Sequence, residues 1–523
     1  MFDETDCFII PPFKNEVYID PTDDCTRSKM KEAIAMVRSQ GKEYDLLIGG
    51  RHYSTEKRII STNPADPDEI IGRVSKANKE LINRAMESAY GAFRSWSRLP
   101  AHERVRPFLK AAQIMRDKRF ELDATMILEE GKSWIEADAD LAEAIDFLEF
   151  YSREALRYAG PQPVVQIPGE VNELKYIPLG VGVVIPPWNF PSAIMAGMTS
   201  AAAISGNCVL LKPASDSPVI AAKFVEILGE AGLPDGVVNF VPGSGSEIGN
   251  FLVEHPLTRF ISFTGSKEVG LRINELAAKH QEGQKWIKRV VLEMGGKDCV
   301  VVDETADIEA ASSGAVSSAF GFQGQKCSAG SRIIVVENVY DETVRLIKEK
   351  TEALTVGDPT DPDNYMGPVI NEAAMTKIMN YIDIGKKEAR LVTGGNHIQG
   401  KGYFIEPTVF ADVPPEARIA QEEIFGPVTA IIKARDFDHA IEIANGTEYG
   451  LTGALYSRER DRIERAKAEI HVGNLYFNRK CTGALVGVQP FGGFNMSGTD
   501  SKAGGRDYLL LFLQAKSISE KIL

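Results

Sequence analysis

Two residues of this chain combine a reactive type with a setting that could use it, Cys327 and Glu293. Cys327 lies in the small polar loop QGQKCSAG at 323–330, between a helical and a strand-like segment. A nucleophilic thiolate needs a depressed pKa and access to solvent, and Lys326 with nearby backbone amides could supply the first. The competing reading is a buried small apolar residue, the commoner fate of a lone cysteine. Glu293 ends the apolar run Val290, Val291, Leu292 and is followed by Met294, Gly295 and Gly296. Such a turn aims side chains from the carboxyl end of a strand, where α/β sheets place their ligands. Partly desolvated there, a carboxyl acquires a raised pKa and serves as a general base. A solvated or ion-paired glutamate fits the sequence equally well. Asn189, after Pro187 and Trp188, could offer its amide to a developing oxyanion or be an ordinary turn residue.

A phosphate site is suggested by FTGSKEVG at 263–270, which follows a strand and opens a helix, so that backbone amides and the helix dipole face a ligand. It has only Gly265 and Gly270 of the full dinucleotide fingerprint. No serine nucleophile elbow, Walker loop, H-E-x-x-H or C-x-x-C pair is present, and no metal is expected. Cys208 and Cys299 sit inside apolar runs and read as packing residues, while Cys7 and Cys25 lie in an N-terminal arm.

The elements that must hold these residues alternate. After an irregular arm at 1–45 with a short amphipathic helix at 28–40 comes a turn-rich stretch at 48–67. Helical periodicity then covers 77–98, 101–131 and 133–158. From Lys175 short apolar runs appear at 182–185, 208–212, 237–240, 259–263 and 289–292, with helices expected at 192–205, 217–231, 246–254 and 267–280. A second series follows, with strands at 298–302, 332–337, 428–434 and 452–456 and helices at 307–320, 340–354, 371–387 and 437–447. This alternation predicts an α/β protein with two doubly wound parallel sheets. The apolar run YLLLFL at 508–513 reads as a strand that either closes a sheet or joins a neighbouring subunit.

Composition bounds the rest. The 523 residues carry 73 acidic against 59 basic side chains, a net charge of −14, with 44% hydrophobic residues. Disordered and collagen-like chains are excluded, and the length suggests roughly three domains. No basic block suits nucleic acid. Residues 176–211 contain no charged residue, yet four prolines and four glycines break the run, so buried strands and a helix fit better than a membrane span. The segment 1–10 resembles neither a secretory signal nor a transit peptide, and with six cysteines in no disulfide pattern the cytoplasm is expected.

Seven fragments occur in the order and spacing of the aldehyde dehydrogenase superfamily: WNFP at 188–191, KP at 212–213, FTGS at 263–266, LEMGGK at 292–297, GQKC at 324–327, EIFGP at 423–427 and PFGG at 490–493. The resemblance covers nearly the whole chain from about residue 45. Within the superfamily, NRKCTGALVGVQPFGG at 478–493 and the N-terminal arm resemble the branch that oxidises L-glutamate γ-semialdehyde to L-glutamate in proline degradation. Another semialdehyde or aliphatic aldehyde dehydrogenase, or a non-catalytic NAD-binding relative, is the alternative.

The resemblance implies an NAD(P)-dependent enzyme with Cys327 as nucleophile through a thioester, Glu293 as the base that activates water, and Asn189 with the Cys327 N–H as oxyanion donors. It places Pro187, Trp188, Lys212, Ser215, Gly243, Gly265, Ser266, Gly295, Glu423 and Phe425 around the cofactor. Phe190 and Phe491 would line the aldehyde channel, and Ser328, Gly483 and Ala484 would hold the substrate's α-carboxylate. Many superfamily members carry a glutamate three residues after the lysine, where it excludes a 2′-phosphate; Ser215 stands here, so NAD with measurable NADP use is expected. The implied domains are an arm at 1–45, an NAD-binding domain at 46–159 and 179–291, a catalytic domain at 292–487, and an oligomerisation hairpin and tail at 160–178 and 488–523. A homo-oligomer built on a dimer follows from the same resemblance.

Overall fold

A computed structural model describes residues 10–522; Cys7 and most of the opening segment lie outside them. Two seven-stranded sheets, each flanked by helices, make the body of the molecule. In the first, five parallel strands run in the order Arg289–Glu293, Phe260–Thr264, Val181–Ile185, Cys208–Leu211, Val238–Phe240, and the antiparallel pair Leu46–Ile48 and Arg51–Tyr53 closes one side. The chain enters at Val181–Ile185, winds outward to Val238–Phe240, then returns to the other side of its first strand. Strand order therefore reverses between Val181–Ile185 and Phe260–Thr264, and a crevice opens beyond their carboxyl ends. The second sheet centres on Cys299–Val302, Arg332–Val336 and Val428–Ala434.

Local chemistry explains the helix boundaries. Asn78 and Ser133 cap Lys79–Trp96 and Trp134–Ala159 with their side-chain oxygens, and Gly131, in left-handed conformation (φ 71°), stops Arg119–Glu130. The single helix expected over 101–131 is two, Ala101–Asp117 and Arg119–Glu130, bent at Lys118 (φ −98°, ψ 15°). The bend uses neither Gly nor Pro, so periodicity does not register it. Over 246–254 a π turn at Gly245–Gly249 precedes a one-turn helix, Asn250–Glu254.

Three expectations need correction. The turn-rich 48–67 contains strands: Arg58–Asn63 and Asp66–Ser75 pair antiparallel beside Glu43–Tyr44, with Pro67 at the hairpin end where the register shifts. The run at 508–513 is a 3-10 turn, Tyr508–Phe512, whose Tyr508, Leu509 and Phe512 are buried in the core of the first sheet. An apolar run with more than one buried side has no need of strand geometry, and Arg289 holds it by donating to the Leu510, Leu511 and Leu513 carbonyls at 2.8–2.9 Å. The hairpin expected at 160–178 is a single strand, Glu170–Pro178, which pairs antiparallel with the terminal strand Leu513–Lys521. Residues 488–512 accordingly pack back onto the two sheets, where they meet Glu293.

Candidate active site

The reversal crevice opens into a cavity of about 800 Å³, within the range of small-molecule sites. Pro187, Trp188, Lys212, Gly265, Ser266, Gly295, Glu423 and Phe425 line it, together with Asn189 and Cys327. Ser215 and Gly243 do not; Ala214 and Gly245 take their places, and Ser215 is exposed. At one end the strand Phe260–Thr264 passes through Gly265 into the helix Lys267–Ala278, whose N-cap is Ser266. Amides at that helix start suit a pyrophosphate. Lys212 follows Cys208–Leu211, fully enclosed, its Nζ on the Pro213 carbonyl at 3.0 Å, and burial lowers its pKa to about 8. Arg272, bonded to Asn250 at 3.1 Å, also lines the cavity and escaped the sequence reading because no motif marks it.

At the other end Glu423 accepts the Gly296 N–H at 3.1 Å. A Cβ on Gly295 would lie 2.3 Å from Glu423 Oε2 and displace that side chain, and one on Gly296 would lie 2.4 Å from the Cys327 carbonyl oxygen, a backbone atom. Phe425, left-handed at φ 60°, meets Trp188 edge-on at 5.6 Å.

Cys327 reaches the cavity on a loop with a sharp entry, Phe322, Gln323 and Gly324 all having positive φ. Buried polar bonds hold that entry: Gln323 Nε2 donates to the Gly131 and Pro368 carbonyls, and Gln325 Oε1 accepts the Ile370 N–H. Asn189 Nδ2 donates to the Gln325 carbonyl at 2.9 Å, which ties it to the Cys327 loop and leaves its second amide proton for another acceptor. The expected help from Lys326 does not materialise, because its Nζ pairs with Glu136 at 2.8 Å. Burial raises the Cys327 pKa well above the usual range, and Asp298, Glu293 and Glu423 push it further, while the Ser328 N–H works the other way. A base must take this proton.

Glu293 qualifies. It ends the strand Arg289–Glu293 beside Thr264, and burial raises its pKa to about 7. Its Oε1 accepts from Ser501 Oγ at 2.5 Å and the Ser501 N–H at 3.4 Å, and its Oε2 accepts the Gly493 N–H at 3.3 Å. Phe491, beside that contact, pairs with Ala503.

Phe190 and Phe322 meet edge-on at 6.3 Å, and the buried Lys132 Nζ lies 4.4 and 4.3 Å from their ring centres. The loop with Gly483 and Ala484 begins beside this group, Lys480 acting on Glu136 and Lys326. Arg479 turns the Thr482 and Gly483 carbonyls toward itself, and Cys481 Sγ contacts the Ser328 carbonyl at 3.4 Å. Burial would raise the pKa of Glu136, but Lys326, Lys132 and Lys480 together hold it below the usual range. This charged group is absent from the sequence reading, although Lys132 and Glu136 stand four residues apart across a helix start. Among the described residues no group of three His, Cys, Asp or Glu could hold a metal ion, and no helix is long and apolar enough to cross a membrane.

The model of the aldehyde dehydrogenase family matches residues 52–518. The chain is 60% identical over 513 residues to 1-pyrroline-5-carboxylate dehydrogenase of Geobacillus thermodenitrificans, covering 98% of this chain and 100% of that one. It is 58% identical over 509 residues to the Bacillus subtilis protein of the same name, covering 97% and 99%. Among solved structures, a Thermus 1-pyrroline-5-carboxylate dehydrogenase with bound NAD superposes with a TM-score of 0.97 at 52% identity, covering 98% and 99%.

Proposed function

The chain belongs to the aldehyde dehydrogenase family, and from that premise we propose that it oxidises L-glutamate γ-semialdehyde, the ring-opened form of 1-pyrroline-5-carboxylate, to L-glutamate with NAD. One observation carries the reading: Cys327 shares a cavity with a helix N-terminus, Lys212 and Glu423, so a nucleophile and a dinucleotide cradle meet. The donor set fits NAD. Ser266 and the amides around it take the pyrophosphate, Lys212 and Glu423 the two riboses, and Trp188 and Phe425 flank the apolar walls. Bound there, NAD supplies the hydride acceptor.

Glu293 removes the proton from Cys327, and the thiolate attacks the aldehyde carbon, forming a C–S bond and an oxyanion. Asn189 Nδ2 and the Cys327 N–H donate to that oxyanion. Loss of hydride leaves a thioester on Cys327. Glu293, once it has passed that first proton to solvent, takes a proton from water, the hydroxide adds to the thioester carbonyl, and the C–S bond breaks to release the carboxylate and return the thiolate. Phe190 and Phe491 shape the channel. Ser328, Gly483 and Ala484 hold the α-carboxylate, and the neighbouring Lys326 and Glu136 present opposite charges to a zwitterionic amino acid.

The domain assignment is part of this reading: 46–159 and 179–291 bind NAD, and 292–487 carries the nucleophile. So is a homo-oligomer. A two-stranded ribbon is marginal alone, and the Glu170–Pro178 and Leu513–Lys521 pair exposes Val171 and Ile177, with Val165 before it 88% exposed. A second copy of the chain covers it, in the cytoplasm. The test is NADH formation from 1-pyrroline-5-carboxylate, succinate semialdehyde and a simple aldehyde. Preference for the first, abolished by Cys327→Ala, is expected; equal rates on all three refute the substrate, and activity in the variant refutes the mechanism.

A further inference from the structure

The loop at 490–504 does more than follow the catalytic domain. It returns across the end of the strand Arg289–Glu293 and bonds to three consecutive residues there, 292–294. The Leu292 N–H donates to Thr499 Oγ1 at 3.1 Å and its carbonyl accepts the Thr499 N–H at 2.9 Å. The Met294 N–H donates to the Ser497 carbonyl at 2.7 Å, while on the other side the Glu293 carbonyl takes the N–H of Gly265, beyond the neighbouring strand Phe260–Thr264, at 3.0 Å. Between these, the Glu293 carboxylate has a hydroxyl and two amides aimed at it, from Ser501 and Gly493. Ser501 is buried (4% exposed), so its hydroxyl is shielded from bulk solvent, and its bond to Oε1 is at the short end for a hydroxyl on a carboxylate.

We propose that Ser501 is a positioning residue for the reaction, its hydroxyl fixing the Glu293 carboxylate in the orientation from which it activates water. This rests on the reading of Glu293 as the base. The hydroxyl donates and the ionised carboxylate accepts, so the contact favours the basic form; it is the foremost influence opposing burial at Glu293. Other charged or titratable groups facing Glu293 are Lys502, on the same loop, Tyr508 from the 3-10 turn, and Cys327 from the opposite loop. Lys502 Nζ is already spent on the Gly473 and Gly492 carbonyls at 2.9 and 2.8 Å, so Ser501 is the side chain that bonds Glu293 directly.

The experiment measures steady-state kcat against pH and the NADH burst, for wild type, Ser501→Ala, Ser501→Thr and Glu293→Gln. In Ser501→Ala the acidic limb of kcat moves up by about one pH unit, as loss of one charge-assisted hydrogen bond predicts. Its burst amplitude above that limb and its circular dichroism stay at wild-type values, and Ser501→Thr, which keeps the hydroxyl, returns the limb toward wild type. A limb in Ser501→Ala that coincides with wild type overturns the proposal, as does a shift that Ser501→Thr shares in full. Should Ser501→Ala fail to fold, a Ser501→Thr limb displaced like that of a Ser501→Cys variant overturns it instead. Steady turnover by Glu293→Gln, with no limb near neutrality, refutes the base assignment itself and so is told apart from failure of the Ser501 role.

Discussion

Gly295 and Gly296 are adjacent, yet alanine at each should damage a different kinetic constant. Neither backbone is left-handed, so alanine adopts both conformations and only the added methyl matters. At Gly295 the methyl would sit 2.3 Å from Glu423 Oε2, the end of a flexible side chain. The carboxylate swings out, gives up the Gly296 N–H and leaves its place at the cavity. A charge-assisted hydrogen bond contributes ~1.5–3 kcal/mol, so KM for NAD rises about 10- to 100-fold while kcat changes little. At Gly296 the methyl would meet the Cys327 carbonyl oxygen, a backbone atom, at 2.4 Å. Ordinary contact begins at 3.4 Å, so the nucleophile's loop must withdraw by 3.4 − 2.4 = 1.0 Å. A displacement of that size costs about 100-fold in rate, here in kcat, with KM for NAD nearly unchanged. Initial-rate NADH formation at saturating aldehyde and varied NAD separates the two constants. A Gly296→Ala enzyme with kcat within about threefold of wild type, or two variants with the same KM and kcat pattern, refutes the assignment of these glycines.

As the proposed base Glu293 must be ionised, so kcat of the wild type is expected to fall about tenfold per unit as pH drops below about 7, and a flat profile down to about pH 5.5 would contradict that role. Glu129 is buried beneath the helix Pro218–Glu230, where it accepts the Val219 and Ile220 N–H groups at 2.8 and 2.9 Å and Ser61 Oγ at 2.7 Å. Glu129→Ala orphans these donors at ~1–3 kcal/mol each and lowers the urea midpoint of unfolding; an unchanged midpoint would refute this role. Burial raises the Glu129 pKa to about 7 from 4.5, so its contribution to stability is full below pH 4.5 and is lost as pH rises through 7. Glu129→Gln cannot titrate, and its midpoint drops less than that of wild type between about pH 5.5 and about pH 8. With Ser215 exposed and Asp216 engaged by Asn371 at 2.9 Å, no carboxylate directly follows Lys212-Pro213 to exclude a 2′-phosphate, and turnover with millimolar NADP is expected; its absence would show that another group does so.

The architecture was legible where burial imposes a period. The strands at 181–185, 208–211 and 428–434 are buried almost throughout, with only Lys433 exposed, and each expected range falls within a residue or two of the observed one. Legibility failed where pairing, not burial, makes the strand. Asp66–Ser75 opens on Asp, Pro, Asp and Glu, and only its partner Arg58–Asn63 makes it extended. The terminal strand Leu513–Lys521 is mostly exposed and alternates too little to be seen, whereas the conspicuous apolar run before it turns out to be a buried 3-10 turn.

Site residues divide along a similar line. Cys327, Glu293, Lys212, Ser266 and Glu423 stand in short motifs because each needs particular immediate neighbours: a glycine beside the carboxylate, a strand end, a helix cap. Residues that act across the fold leave no such trace. Ser501 lies 208 positions from the carboxylate it bonds, and Glu136 lies 190 from the lysine it pairs with. The one wrong inference about the nucleophile has the same origin. Lys326 is next to Cys327 in the chain, but the chain bends at Lys326 and turns at Cys327, and the lysine's charge goes to Glu136. Three carboxylates from distant segments, at 293, 298 and 423, surround the sulfur instead and oppose its ionisation. A resting thiol kept protonated resists oxidation, and its activation is thereby made conditional on a nearby base. The proposed base, Glu293, is itself held by a loop from the far end of the chain, so on this mechanism the reactivity of Cys327 depends on the folding of residues 490–504 as much as on its own motif.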